Sequence, residues 1–306
     1  MPDVWLLTTS FVTAMLSAGV SCLLAYRRGT APDGSGTAAV QLRPLFSLSC
    51  GVLAGMAVQG ILPAFPLVSA LDRWLAIGLP MLMLADVAGC FLHQQLAVRW
   101  IKVVAAVAVA PVILYGSVHL QVMPDASAQS GSSSFGLLPL AAAGGVLLLL
   151  TLLGDSSAAK PDLQRTAAGI YSGLILLTVQ VTAVVVMLGG WIGCGAAALP
   201  VTGAGTGLLL AGLLLRQHAA VTVVIRWASR SLGGIIVLGH YFGRLTVAQA
   251  ALILAAAVIP LLVLRSGRGL QSRGLWVSAV LTLLFLSLVL LPAILEFQRR
   301  MAVLLS

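Results

Sequence analysis

Apolar residues along this chain come in runs of roughly twenty, the length an α-helix needs to cross the hydrocarbon core of a bilayer. Nine runs are clear, at 4–26, 45–62, 74–92, 103–120, 135–153, 168–188, 196–215, 247–264 and 275–295, and each reads as a membrane-spanning helix. A tenth, 219–242, reads "AAVTVVIRWASRSLGGIIVLGHYF" and carries Arg226 and Arg230 near its middle. Its polar residues fall close to one face at helical spacing: Thr222, Arg226, Ser229, Arg230, Gly233, His240 and, just beyond, Arg244. A crossing helix with that stripe turns its charges into the bundle and its Val, Ile and Leu face to lipid. An amphipathic helix lying on the cytoplasmic surface shows a similar stripe. Length favours crossing, as do the tight polar turns on either side, "RQH" at 216–218 and "GRLT" at 243–246.

The pattern therefore predicts an all-α polytopic transmembrane bundle of about ten spans, forming one integral-membrane domain over 1–306. Five spans precede the polar stretch 154–167, read as a cytoplasmic loop, and five follow it. Because five is odd, halves 1–153 and 168–306 run through the membrane in opposite senses. That is the inverted topology of many secondary transporters, whose sites lie at the midplane between the halves. Connections are short, and the one low-complexity piece, "PDASAQSGSSS" at 124–134, has no core of its own. No soluble domain is expected.

Composition agrees. The 306 residues are 60% hydrophobic and 8% charged, against about 25% charged in ordinary soluble domains. A net charge of +9 raises the question of nucleic acid, but its basic residues punctuate apolar runs instead of clustering on one wet surface with aromatics between them. They read as topology determinants. An outside N-terminus places Arg27, Arg43, Arg99, Lys102, Arg165 and Arg216 on the cytoplasmic side, leaving Arg73, Arg244, Arg299 and Arg300 outside. The first run is preceded by an acid and no base, and is about twice the length of a signal-peptide core, so it is read as an uncleaved span. The expected location is the bacterial cytoplasmic (inner) membrane. The expected partner is the lipid bilayer, with other membrane subunits or further copies of the chain as additions, and no nucleic acid.

The chain has 8 acidic residues, and all but one fall in evident loops or at segment ends. The exception is Asp86, inside "ADVAGCFLH". Measured from the ends of their runs, Asp86 and Arg230 both lie near the midplane. An isolated charge there costs about 2.5–3.5 kcal/mol even on the lenient insertion scale, so the two have reason to meet. Arg226, one turn nearer the cytoplasm, is then partly unneutralised, which suits an anionic group. Gln180, mid-run in "LLTVQVTAV", joins the candidate pathway layer, with interhelical hydrogen bonding as its ordinary explanation. A structural Asp–Arg pair that only fixes which helices pack together is the plainest alternative.

A metal, haem or thiol redox reading draws on Asp86, Cys90 and His93, which share a face at i, i+4, i+7, and on His218 at the same level. These are weak ligand candidates, because the histidines sit at span boundaries and no CxxC pair is present. No cofactor is expected. No HExxH or GxSxG occurs, which leaves an enzyme without its usual signatures. The expectation is a transporter or permease-like protein for a small anionic or amphipathic solute. A non-catalytic subunit or scaffold of a larger membrane complex is the alternative.

Overall fold

The structure is a computed structural model, and the residues described are 3–27, 37–92, 94–115, 137–158, 165–266 and 272–305. Ten long helices account for nearly all of them: α1 (Val4–Arg27), α2 (Thr37–Gln59), α3 (Ala70–Phe91), α4 (Gln95–Leu114), α5 (Leu137–Ala158), α6 (Arg165–Leu188), α7 (Ile192–Leu214), α8 (His218–Tyr241), α9 (Val247–Ser266) and α10 (Ser272–Leu305). Each is long and apolar enough to span a membrane. The chain is an all-α, multi-pass membrane bundle.

Helix ends follow local chemistry. Ser69 caps α3, its hydroxyl accepting from the Asp72 amide at 3.0 Å. The turns Trp74–Gly78 that follow are π-helical and stand just ahead of Pro80, whose missing N–H interrupts the helical ladder. α2 and α6 end with glycines in the left-handed region, Gly60 (φ 66) and Gly190 (φ 102). In both, the next amide reaches back to a carbonyl five residues earlier, Ile61 to Met56 and Trp191 to Val186. At the first turn of α3, Arg73 donates to the Val112 carbonyl at 3.0 Å and the Tyr115 carbonyl at 2.6 Å. It thereby caps the C-terminal end of α4 and pins the start of α3 to it.

The tenth segment, doubtful from sequence, is the centre of the bundle. Within α8 the most apolar window is 94% buried, against 22% for α1, so it does not lie on a surface. Nor does its Val, Ile and Leu face meet lipid: Val224, Ile225, Leu232 and Ile236 are buried, and α8 packs against α5, α6 and α7 together. The expected lipid-facing side is absent because a helix with neighbours all round has none.

Beside α8, α1, α2 and α7 pack through small residues. A Cβ on Gly207 of α7 would stand 2.0 Å from the Met15 carbonyl oxygen of α1, and one on Gly51 of α2 would stand 2.7 Å from that of Ala14. Only glycine lets these backbones approach so closely, as the runs "GVLAGMAVQG" and "GAGTGLLLAG" suggest. Among the described residues α1 lies along α7, and α5 along α8.

Candidate functional site

Four helices bring five ionisable side chains to one place. Asp86 comes from α3, Lys102 from α4, Asp155 from α5, and Arg226 and Arg230 from α8. Two glycines permit the approach. A Cβ on Gly89 of α3 would stand 3.0 Å from Val98 of α4 and 3.8 Å from Lys102 Cε. On α5, a Cβ at Gly154 would stand 3.1 Å from Ser229 and 3.6 Å from the Arg226 Cα. The residue after Gly154 is Asp155, so close α5–α8 packing delivers that carboxylate to the arginines.

Arg230 is the hub. Its guanidinium holds Asp86 through both terminal nitrogens: Nη1 pairs with Oδ2 and Nη2 lies 3.1 Å from Oδ1. This fork-to-fork arrangement is the strong form of the pair. Nη2 also donates to Asp155 Oδ1 at 3.0 Å, and Nη1 approaches the Leu82 carbonyl at 3.4 Å. Lys102 Nζ bridges the two acids, 3.1 Å from Asp86 Oδ1 and 3.0 Å from Asp155 Oδ2. Arg226 Nε lies 3.4 Å from Asp155 Oδ1 without hydrogen-bonding geometry. Three cations share two carboxylates, which leaves the cluster one positive charge in surplus.

Exposure is graded across the cluster. The Arg230, Asp86 and Lys102 side chains are 2%, 7% and 10% exposed, whereas Asp155 and Arg226 are 20% and 25% exposed. The buried members are two cations and one carboxylate, and Asp155 at the edge supplies the second carboxylate that the cost of burying a charge requires. Arg226, at the open edge and 3.4 Å from Asp155 without a hydrogen bond, is the least neutralised cation of the five side chains.

Asp86 and Arg230 thus lie in direct contact, with Arg226 one turn away on α8. Depth differs from the midplane expectation. Asp86 is five residues from the Phe91 end of α3, about 7.5 Å at helical rise, and the long Arg230 side chain reaches toward that end. Gln180 is elsewhere. It accepts from the Thr202 hydroxyl at 2.6 Å, tying α6 to α7, and makes no contact with the charges. The sequence pattern puts Asp155 in a loop and gives Lys102 a topological role alone, whereas the structure brings both into the cluster. Residue 154 onward continues α5 as far as Ala158, which puts Asp155 on a helix and not in a linker.

Of the weak ligand candidates, Cys90 donates its thiol toward the Asp86 carbonyl at 3.4 Å. His218 stands at the start of α8, and His93 lies outside the described residues. Among the described residues no group of three or more His, Cys, Asp and Glu side chains is placed to hold a metal.

Comparison with protein-family models, curated proteins and solved structures finds no match to this chain. The chain is a multi-pass membrane protein by its ten apolar helices, and the reading of its function rests on the charge cluster.

Proposed function

We propose that the protein is a transporter or permease-like protein for a small anionic or amphipathic solute, resident in a bacterial cytoplasmic membrane with its N-terminus outside. The observation that carries this reading is the five-charge cluster, buried at Arg230, Asp86 and Lys102, one positive charge in surplus, with the least neutralised cation, Arg226, at its partly accessible edge. Intramembrane ionisable groups are costly and characteristically mark pathways. In an N-outside arrangement the cluster belongs to the cytoplasmic half of the bundle.

The connectivity suggests how such a cluster works. Asp155 is the sole acid from α5 in the cluster, and it contacts Lys102, Arg226 and Arg230. A carboxylate or phosphate arriving at Arg226 competes with Asp155 for the same cations. Binding that favours a state with Asp155 released shifts the population toward α5 parted from α4 and α8, since a ligand moves such an equilibrium by its differential affinity. Lys102 and Arg230 keep Asp86 throughout, and the arriving anion replaces the negative charge that Asp155 supplied.

Purified protein in liposomes, offered a panel of labelled small carboxylates and phosphate esters, tests the proposal. Saturable uptake of at least one anion is expected, reduced at least tenfold in Arg226→Gln. Flux no greater than in empty liposomes for every member, from protein with an intact melting transition, supports the membrane-subunit alternative instead.

A further inference from the structure

At the end of the bundle opposite the charge cluster, α6, α9, α10 and the turn between α8 and α9 enclose a cleft of about 220 Å³. Its lining divides by chemistry. Leu245 and Ala293 are buried and Leu188 lies beside them, whereas Arg244, Glu296 and Arg300 supply charge. Glu296 and Arg300 are an i, i+4 pair on α10, with side chains 60% and 38% exposed. Arg244 forms no ion pair with a described residue, so the cleft too carries one positive charge in surplus.

Two further observations support a position for this cleft at the level of lipid phosphates. α6 ends at Leu188 and α9 begins at Val247, so both termini mark the edge of the apolar slab here. α10 instead continues past it. Its 34 residues amount to about 51 Å against roughly 30 Å of hydrocarbon, and Glu296 and Arg300 lie in the part that runs on. The N-terminus of α9 also faces this region: Thr246 and Gln249 form a reciprocal cap, at 3.0 Å and 3.2 Å, and both line the cleft. The dipole at that helix end adds to the positive field.

We infer that this cleft is a binding site for a phosphate ester attached to an apolar body, with the phosphate oxygens on Arg244 and the capped end of α9 and the apolar portion against Leu188, Leu245 and Ala293. Glu296, paired with Arg300 but 60% exposed, is the acid that an ammonium group on the same ligand would meet. A phospholipid headgroup and a soluble phosphate ester share this chemistry. The inference is independent of whether the protein transports anything.

Native mass spectrometry and thermal shift separate the sources. Detergent-purified protein is offered phosphatidylethanolamine or phosphatidylglycerol in one arm and glycerol 3-phosphate in the other. Retained phosphate ester is expected, with occupancy about fivefold lower in Arg244→Gln, the factor for losing one basic residue near a lipid surface, and largely restored in Arg244→Lys. The double variant Glu296→Gln with Arg300→Gln, which leaves net charge unchanged, should also lower retention. Arg299→Gln, outside the cleft, should not. Adducts in the lipid arm alone identify a membrane lipid, and a stabilising shift with glycerol 3-phosphate identifies a soluble ester. Equal occupancy in wild type and Arg244→Gln in both arms overturns the inference, as does the absence of any adduct or shift.

Discussion

Asp155 Oδ1 lies 3.0 Å from Arg230 Nη2, although one stands near the end of α5 and the other at the middle of α8. That contact joins a carboxylate at the open edge to the most buried cation of the cluster. Events at the edge are therefore felt at the centre.

Charge counting predicts unequal mutants. Asp86→Asn leaves three cations facing one carboxylate, whereas Arg230→Gln leaves two facing two. Removing one partner of a fully buried pair costs about 3–5 kcal/mol. Asp86→Asn should approach that loss in detergent, with a clear fall in melting temperature, and Arg230→Gln should lose less. The double variant restores the wild-type surplus and should fall short of the summed losses. Additive losses in melting temperature would show that the two residues are not coupled.

Close packing at Gly154 sets the second expectation. Gly154→Ala places a methyl group 3.1 Å from Ser229, tight enough to press α5 from α8 and draw Asp155 off the arginines. Overpacking typically costs about 1–3 kcal/mol. A lowered melting temperature is expected, with partial rescue by Ser229→Gly in the same chain. A rescue that fails would locate the damage away from this contact.

Gln180 supplies a contrast. Interhelical hydrogen bonds in membranes average about 0.6 kcal/mol, and Gln180 has one, from Thr202. Gln180→Leu should lower the melting temperature slightly and leave any anion flux unchanged. A large loss of flux with a normal melting curve would return Gln180 to the pathway.

Topology is open to labelling in a cysteine-free background. Gln94 and Ala248 are exposed at opposite ends of the bundle. Gln94→Cys should react only with reagent admitted to the cytoplasm, and Ala248→Cys with impermeant reagent outside. The opposite assignment would invert the protein and move the charge cluster to the outer half.

The spans were legible in the sequence because lipid demands long apolar runs, and Asp86 and Arg230 stood out because each interrupts one. Asp155 and Lys102 did not stand out. Both lie near the ends of their runs, where a charge ordinarily marks the water boundary, and hydropathy falls off at Leu153 although α5 continues to Ala158. Their inward role depends on how closely neighbouring helices approach, set by Gly89 and Gly154, and a linear pattern does not record which helix lies alongside. The same ambiguity hid the burial of α8. A polar stripe on a helix tells which side avoids lipid, but the opposite side is free to meet protein as well.

The division of the cluster among the helices also orders the making of the protein. Arg226 and Arg230 each cost about 2.5–3.5 kcal/mol at a helix centre during insertion, which makes α8 a poor span on its own. By the time it leaves the ribosome, α3, α4 and α5 are already synthesised, holding Asp86, Lys102 and Asp155 with one negative charge in excess. The arriving arginines reverse that excess. Helices three to five thus hold in advance the carboxylates that offset the cost of a late segment's arginines, and a chain cut short before α8 would leave one of those carboxylates unmatched.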